Sequence, residues 1–106
     1  MQTGDPNYAA DIPVECPLLA PSGGVKNYLW LAIGMSNEAG FSRTLKAVPA
    51  GYSNTVWIDP VGVDSWNLMS AERNLRAASE DPGTFIVGNG YLAQWQGYTI
   101  AVHPRA

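Results

Sequence analysis

The chain has 106 residues, with nine acidic and six basic side chains, one histidine, one cysteine and a formal net charge of −3. A pI near 4.8 and the lack of any lysine or arginine cluster set nucleic acid aside as a partner, because phosphates need several positive groups in one place. No apolar run approaches the roughly 20 residues of a membrane span, and only 14% of residues are charged, so the surface is easily desolvated against other subunits.

Residues 1–24 read as an extended, proline-rich arm. Four of the eight prolines (Pro6, Pro13, Pro17, Pro21) and three acids (Asp5, Asp11, Glu15) fall there without a lysine or arginine, so the segment carries the whole net charge. Proline bars helix and most central-strand positions. Yet Tyr8, Ile12, Val14, Leu18 and Leu19 make the arm too apolar for a solvated tail. These five side chains are expected to bind a partner surface by strand addition or draping. Met1 leads into Gln2-Thr3-Gly4-Asp5 with neither a basic start nor an apolar middle. No secretory signal is expected, and a virion or cytoplasmic location follows. Cys16, between Glu15 and Pro17, reads as a partly buried, inert thiol.

Gly23-Gly24 marks a hinge to a single small domain, residues 25–106, expected to fold without the arm. Residues 25–33 are rich in aromatic and branched side chains and read as a buried strand ended by Gly34. Residues 36–48 read as a short helix or loop, with an edge strand over 41–46 as the alternative. Residues 54–59 form a second strand closed by Pro60 and Gly62. The spacing then predicts one main helix at about 64–80, capped by Asp64 or Ser65 and stopped at Asp81-Pro82-Gly83. Its apolar stripe is Trp66, Leu68, Met69, Leu75 and Ala78. Residues 84–87, 91–95 and 98–102 follow as short strands, the first two joined by a Gly88-Asn89-Gly90 turn that suits a tight hairpin. The resulting fold class is α+β: a small, largely antiparallel sheet with one main helix and an extended N-terminal arm.

Few motifs carry chemistry. Gly88-Asn89-Gly90-Tyr91-Leu92-Ala93 has the letters of a dinucleotide-binding loop, but strand-like residues follow it and no acid stands after Asp81. The helix terminus and ribose-binding acid that such a site needs are both absent. Asp59, Asp64, Glu80 and Asp81 sit beside turn residues, where capping explains them. The segment Leu31-Ala32-Ile33-Gly34-Met35-Ser36-Asn37 resembles, over seven residues, the strand-to-turn that presents the nucleophile in SGNH-type ester hydrolases. That resemblance implies Ser36 as nucleophile and His103 as its base. Tyr91, Trp95 and Tyr98, interleaved with Gln94 and Gln96, have the composition of a sugar-stacking platform.

The leading expectation is a structural subunit of a large assembly, such as a capsid decoration or other head-associated virion protein. It rests on the apolar arm and the charge-poor surface, without a catalytic constellation, cofactor or metal site. Its partners are other protein subunits, including copies of itself. A small carbohydrate-binding module built on Tyr91, Trp95 and Tyr98 is the second reading. A reduced ester hydrolase using Ser36 is the third.

Overall fold

The computed structural model describes residues 2–4, 11–37, 44–59, 66–88 and 94–104, the first three as backbone only. Among the described residues there is no helix. Eight strands build two antiparallel sheets: β1 (Gln2–Gly4), β2 (Asp11–Cys16), β3 (Lys26–Asn37), β4 (Thr44–Ala47), β5 (Ser53–Ile58), β6 (Trp66–Ala77), β7 (Gly83–Gly88) and β8 (Gln94–Val102). The larger sheet has the order β1-β8-β3-β6-β5 and the smaller one β2-β7-β4. The fold is therefore all-β, and the α+β expectation is corrected.

The predicted helix at 64–80 is the main correction. Residues 66–77 form β6, paired with β3 in an unbroken register from Lys26↔Ala77 to Asn37↔Trp66 and with β5 on its other edge. Burial along β6 alternates: Asn67, Met69 and Ala71 are buried, whereas Trp66 and Leu68 are exposed. In the sequence that alternation is masked, because a polar Asn67 and a small Ala71 face inward while Trp66 and Leu68 face outward. The helix-forming residues from Ala71 to Ala77 then match a 3.6-residue period by local propensity. Pairing on both edges overrides that weak preference.

The predicted C-terminal meander is also rearranged. β7 pairs with β2 and β4, whereas β8 pairs with β1 and β3, so the two successive strands lie in different sheets. The turn residues Asn89 and Gly90 lie outside the described residues. β8 runs without interruption through Gln96-Gly97, where a break was expected. Within 36–48, Ser36 and Asn37 end β3, residues 38–43 lie outside the described residues, and β4 (Thr44–Ala47), at the edge of the smaller sheet, takes the place of helix or loop and overlaps the alternative strand over 44–46.

The sheets face each other, with β2 lying across β3 and β8. Ile12, Val14 and Cys16 of β2 and Phe85 and Val87 of β7 meet Tyr28, Trp30 and Ala32 of β3 and Met69 and Ala71 of β6 in one buried cluster. The close approach depends on two glycines that are cross-strand partners, Gly34 on β3 and Gly97 on β8. Together they open a notch in the inner face of the large sheet. A Cβ at Gly97 would lie 1.8 Å from the carbonyl oxygen of Glu15, and one at Gly34 would lie 2.8 Å from Val14 Cγ1. β2 drops into this notch and is fastened where Thr99 Oγ1 donates to the carbonyl of Pro17 at 2.6 Å.

Residues 11–16 of the proline-rich arm are thus a strand of the chain's own smaller sheet. Pro13 occupies an edge strand, the place where a sheet tolerates a missing N–H. Further along the arm, Leu19 and Glu80 exchange backbone hydrogen bonds at 3.0 Å. Glu80 in turn accepts from Tyr52 Oη at 3.1 Å and pairs with Arg73 at 3.2 Å. This half-buried group ties the arm's exit to β6 and to the turn before β5.

Candidate interaction surface

The inner face of the large sheet is closed by β2 and β7. Its outer face is the surface in question, and its composition follows from strand alternation. On β3 the residues between the buried positions are Leu29, Leu31, Ile33 and Met35, all half-buried. The registers place Val102, Ile100 and Tyr98 of β8 beside the first three of these. On the other flank, Ser70 and Leu68 of β6 stand beside Ile33 and Met35, with Val56 and Ile58 of β5 beyond them. Trp66 completes the row that starts from Asn37.

Exposed large apolar side chains therefore cluster. Of the eight among the described residues, Val56 (46%), Ile58 (49%), Trp66 (41%), Leu68 (36%), Ile100 (41%) and Val102 (43%) all lie on this one face. They run as a diagonal stripe from the C-terminal end of β8, across the middle of β3, to β5 and the start of β6. Polar residues hold the other two corners: Gln94 and Gln96 on β8, and Glu72 and Asn74 on β6. Tyr98 Oη donates to Gln96 Oε1 at 3.1 Å, and Asn54 Nδ2 donates to Glu72 Oε1, so both corners are internally hydrogen-bonded. Scattered exposed hydrophobics are ordinary, but a contiguous apolar face of this kind marks a contact surface.

The residues singled out from the sequence are distributed differently. Ile12 and Val14, expected to contact a partner, are 1% and 0% exposed and pack into the chain's own core. Leu19 is half-buried against that core, Leu18 is exposed at 64%, and Tyr8 lies outside the described residues. Ile12 and Val14 thus have an internal apolar destination, and Leu18 does not. The sugar platform is divided in the same way: Trp95 pairs with Ser36 and packs on the inner side against the core, Tyr98 faces outward, and Tyr91 lies outside the described residues. Trp95 and Tyr98, three residues apart on one strand, cannot share a face.

Ser36 and His103 are not brought together. Ser36 is fully buried on the rung shared with Trp95. His103 follows the far end of β8, roughly 25 Å away at the rise of an extended strand. There its ring meets Tyr28 edge-on at 5.3 Å, and Tyr28 is itself fixed by donating to the carbonyl of Gly24 at 2.7 Å. Ser36 instead belongs to a buried polar pair. Its N–H and its Oγ both donate to Asn67 Oδ1, at 3.1 and 2.8 Å. This contact fixes the register of β3 and β6 at the end of the sheet where Trp66 stands. Replacing Ser36 with Ala removes one of the two donors while the backbone one remains. Urea titration should therefore show a loss of about 1 kcal/mol, the usual net worth of one such bond.

Cys16 is buried, and burial pushes its thiol up to about 11. At neutral pH it stays protonated, packed on β2 with Sγ directed to the carbonyl of Ile33 at 3.7 Å. The outer stripe is hidden in the sequence because two of its six exposed residues, Trp66 and Leu68, fall in the segment whose spacing predicts a helix. Period two over those residues puts Trp66 and Leu68 on one face, and the register sets them beside Asn37 and Met35. No known protein family, curated protein or solved structure matches this chain.

Proposed function

We propose that this chain is a structural subunit of a larger protein assembly, docking through the outer face of its five-stranded sheet. The observation that carries this reading is the diagonal apolar stripe. Solvent-exposed sheet faces ordinarily alternate polar outward with apolar inward, whereas β3 here is apolar on both faces. A strand of that kind suits a sheet covered on both sides. The low charged fraction of the chain supports the same reading, since covering this face strands few ions. A shell of many repeated subunits, such as a virion exterior, is the setting we propose, because a small module with one apolar face gains most from a surface that repeats.

The contact surface is thereby moved from the arm to the sheet. In lysates of the producing cells, the chain should sediment with particles far larger than its own 11.4 kDa. Leu68→Glu, which places a carboxylate in the stripe at an exposed position, should release it as a free folded domain. Sedimentation of the unaltered chain as a small free species would overturn the assembly role.

A further inference from the structure

Resting on that reading of the outer face, we infer that its immediate occupant is a second copy of this chain, laid face to face about a two-fold axis that follows the apolar diagonal.

Three features of the face argue for this occupant. The first is shape. Strand twist makes a sheet saddle-shaped, so two opposed sheets touch along one diagonal and part at the two remaining corners. The apolar residues of this face follow such a diagonal, with Val102 and Ile100 at one end and Ile58 and Trp66 at the other, and polar side chains hold the corners that would part. A helix or a peptide would follow a groove or a single strand, whereas a diagonal across four strands matches another twisted sheet.

The second feature is area. The stripe joins six large apolar side chains that are each 36–49% exposed, a patch comparable with the roughly 300–600 Å² that is the largest on a typical monomer. Two such patches laid on one another reach the low end of a specific interface, about 1,200 Å² in total. The third is complementarity under the symmetry itself. A two-fold axis along the diagonal superposes the stripe on its own copy and exchanges the corners. The Gln94 and Gln96 corner of one copy then faces the Glu72 and Asn74 corner of the other. Across the hydrated gap where the sheets part, amides stand opposite a carboxylate and an amide, and no like charges are opposed.

The test is the mass of the full chain in solution by light scattering and equilibrium sedimentation over a dilution series. The expected species is twice the 11.4 kDa chain mass. Leu68→Glu and Ile100→Glu, at opposite ends of the stripe and both at exposed positions, should each weaken pairing at least about 100-fold while keeping the native circular dichroism. Using two variants keeps the test decisive if one fails to fold. Orientation is read by cross-linking Gln94→Cys chains with Asn74→Cys chains through a bis-maleimide long enough to span the open corners, the native Cys16 being buried. Mixed samples should link, and either variant alone should link far less. A monomer at every concentration, a dimer indifferent to both glutamates, or linking of each variant only to itself would overturn the pairing. A monomeric chain that still sediments with large particles, and is freed by Leu68→Glu, would keep the assembly role and discard the second copy. A dimer found in no larger particle would keep the pairing and discard the role.

Discussion

Removal of residues 1–24 is expected to leave no cooperatively folded protein. The segment supplies β2, which brings Ile12, Val14 and Cys16 into the core at 1%, 0% and 2% exposure and gives β7 a partner over its full length, from Asp11↔Gly88 to Cys16↔Gly83. Each fully buried aliphatic side chain contributes roughly 1.5–3 kcal/mol. Their joint loss, with a strand's worth of backbone hydrogen bonds, approaches the roughly 5–15 kcal/mol by which a domain is stable at all. What would remain of the smaller sheet is β7 with β4, a two-stranded ribbon of marginal stability, lying over a core whose Phe85 and Val87 have lost their cover. The truncated chain should give a broad, non-cooperative urea profile, weak near-ultraviolet dichroism and strong binding of a hydrophobic dye. A sharp transition within about 1 kcal/mol of the intact protein would show that the arm is dispensable and that its docking elsewhere is still open.

That expectation reverses the one drawn from the sequence, and the reversal shows where local reading fails. The apolar character of residues 11–19 was legible, as was the extended conformation imposed by their prolines. The destination was not, because a strand that pairs with residues 83–88 has no local signal pointing across some seventy positions. The same limit explains the larger error. β3, β5 and β7 announce themselves through dense branched and aromatic residues, and β8 is visible in its two halves. β6 does not, since its inward positions include a polar residue and a small one, and its second half is composed of good helix formers. Its strand character is enforced by β3 and β5 on either side. With β6 read as a helix, Trp66 and Leu68 leave the stripe, and the residues on β5 lose the strand that links them to β3. The remaining apolar residues of β3 then passed as ordinary core.

Gly97→Ala is expected to be among the most damaging single-methyl additions available in this chain. The added Cβ would stand 1.8 Å from the oxygen and 2.7 Å from the carbon of the Glu15 carbonyl, both backbone atoms of β2, so no side-chain rotation relieves the overlap. Relief requires moving β2 away from β8 by more than 1 Å, on the order of the gap between that overlap and normal contact in a close-packed interior. β2 cannot move alone, because its other side is paired with β7 and Pro17 is held by Thr99. The cost should be about 3 kcal/mol or more, at the upper end for overpacking. Gly34→Ala supplies the contrast from the partner position in the same notch. There the nearest atoms are Val14 Cγ1 at 2.8 Å and the Met69 side chain at 3.1 Å, groups that can repack or be trimmed. Val14→Ala should therefore recover part of the loss from Gly34→Ala and none of the loss from Gly97→Ala, a difference that a double-mutant cycle by urea titration resolves. If Gly97→Ala unfolds within about 1 kcal/mol of the parent, β2 does not rest on β8 in this notch. The packing of the two sheets, and with it the assignment of one face as inner and the other as free for contact, would then have to be redrawn.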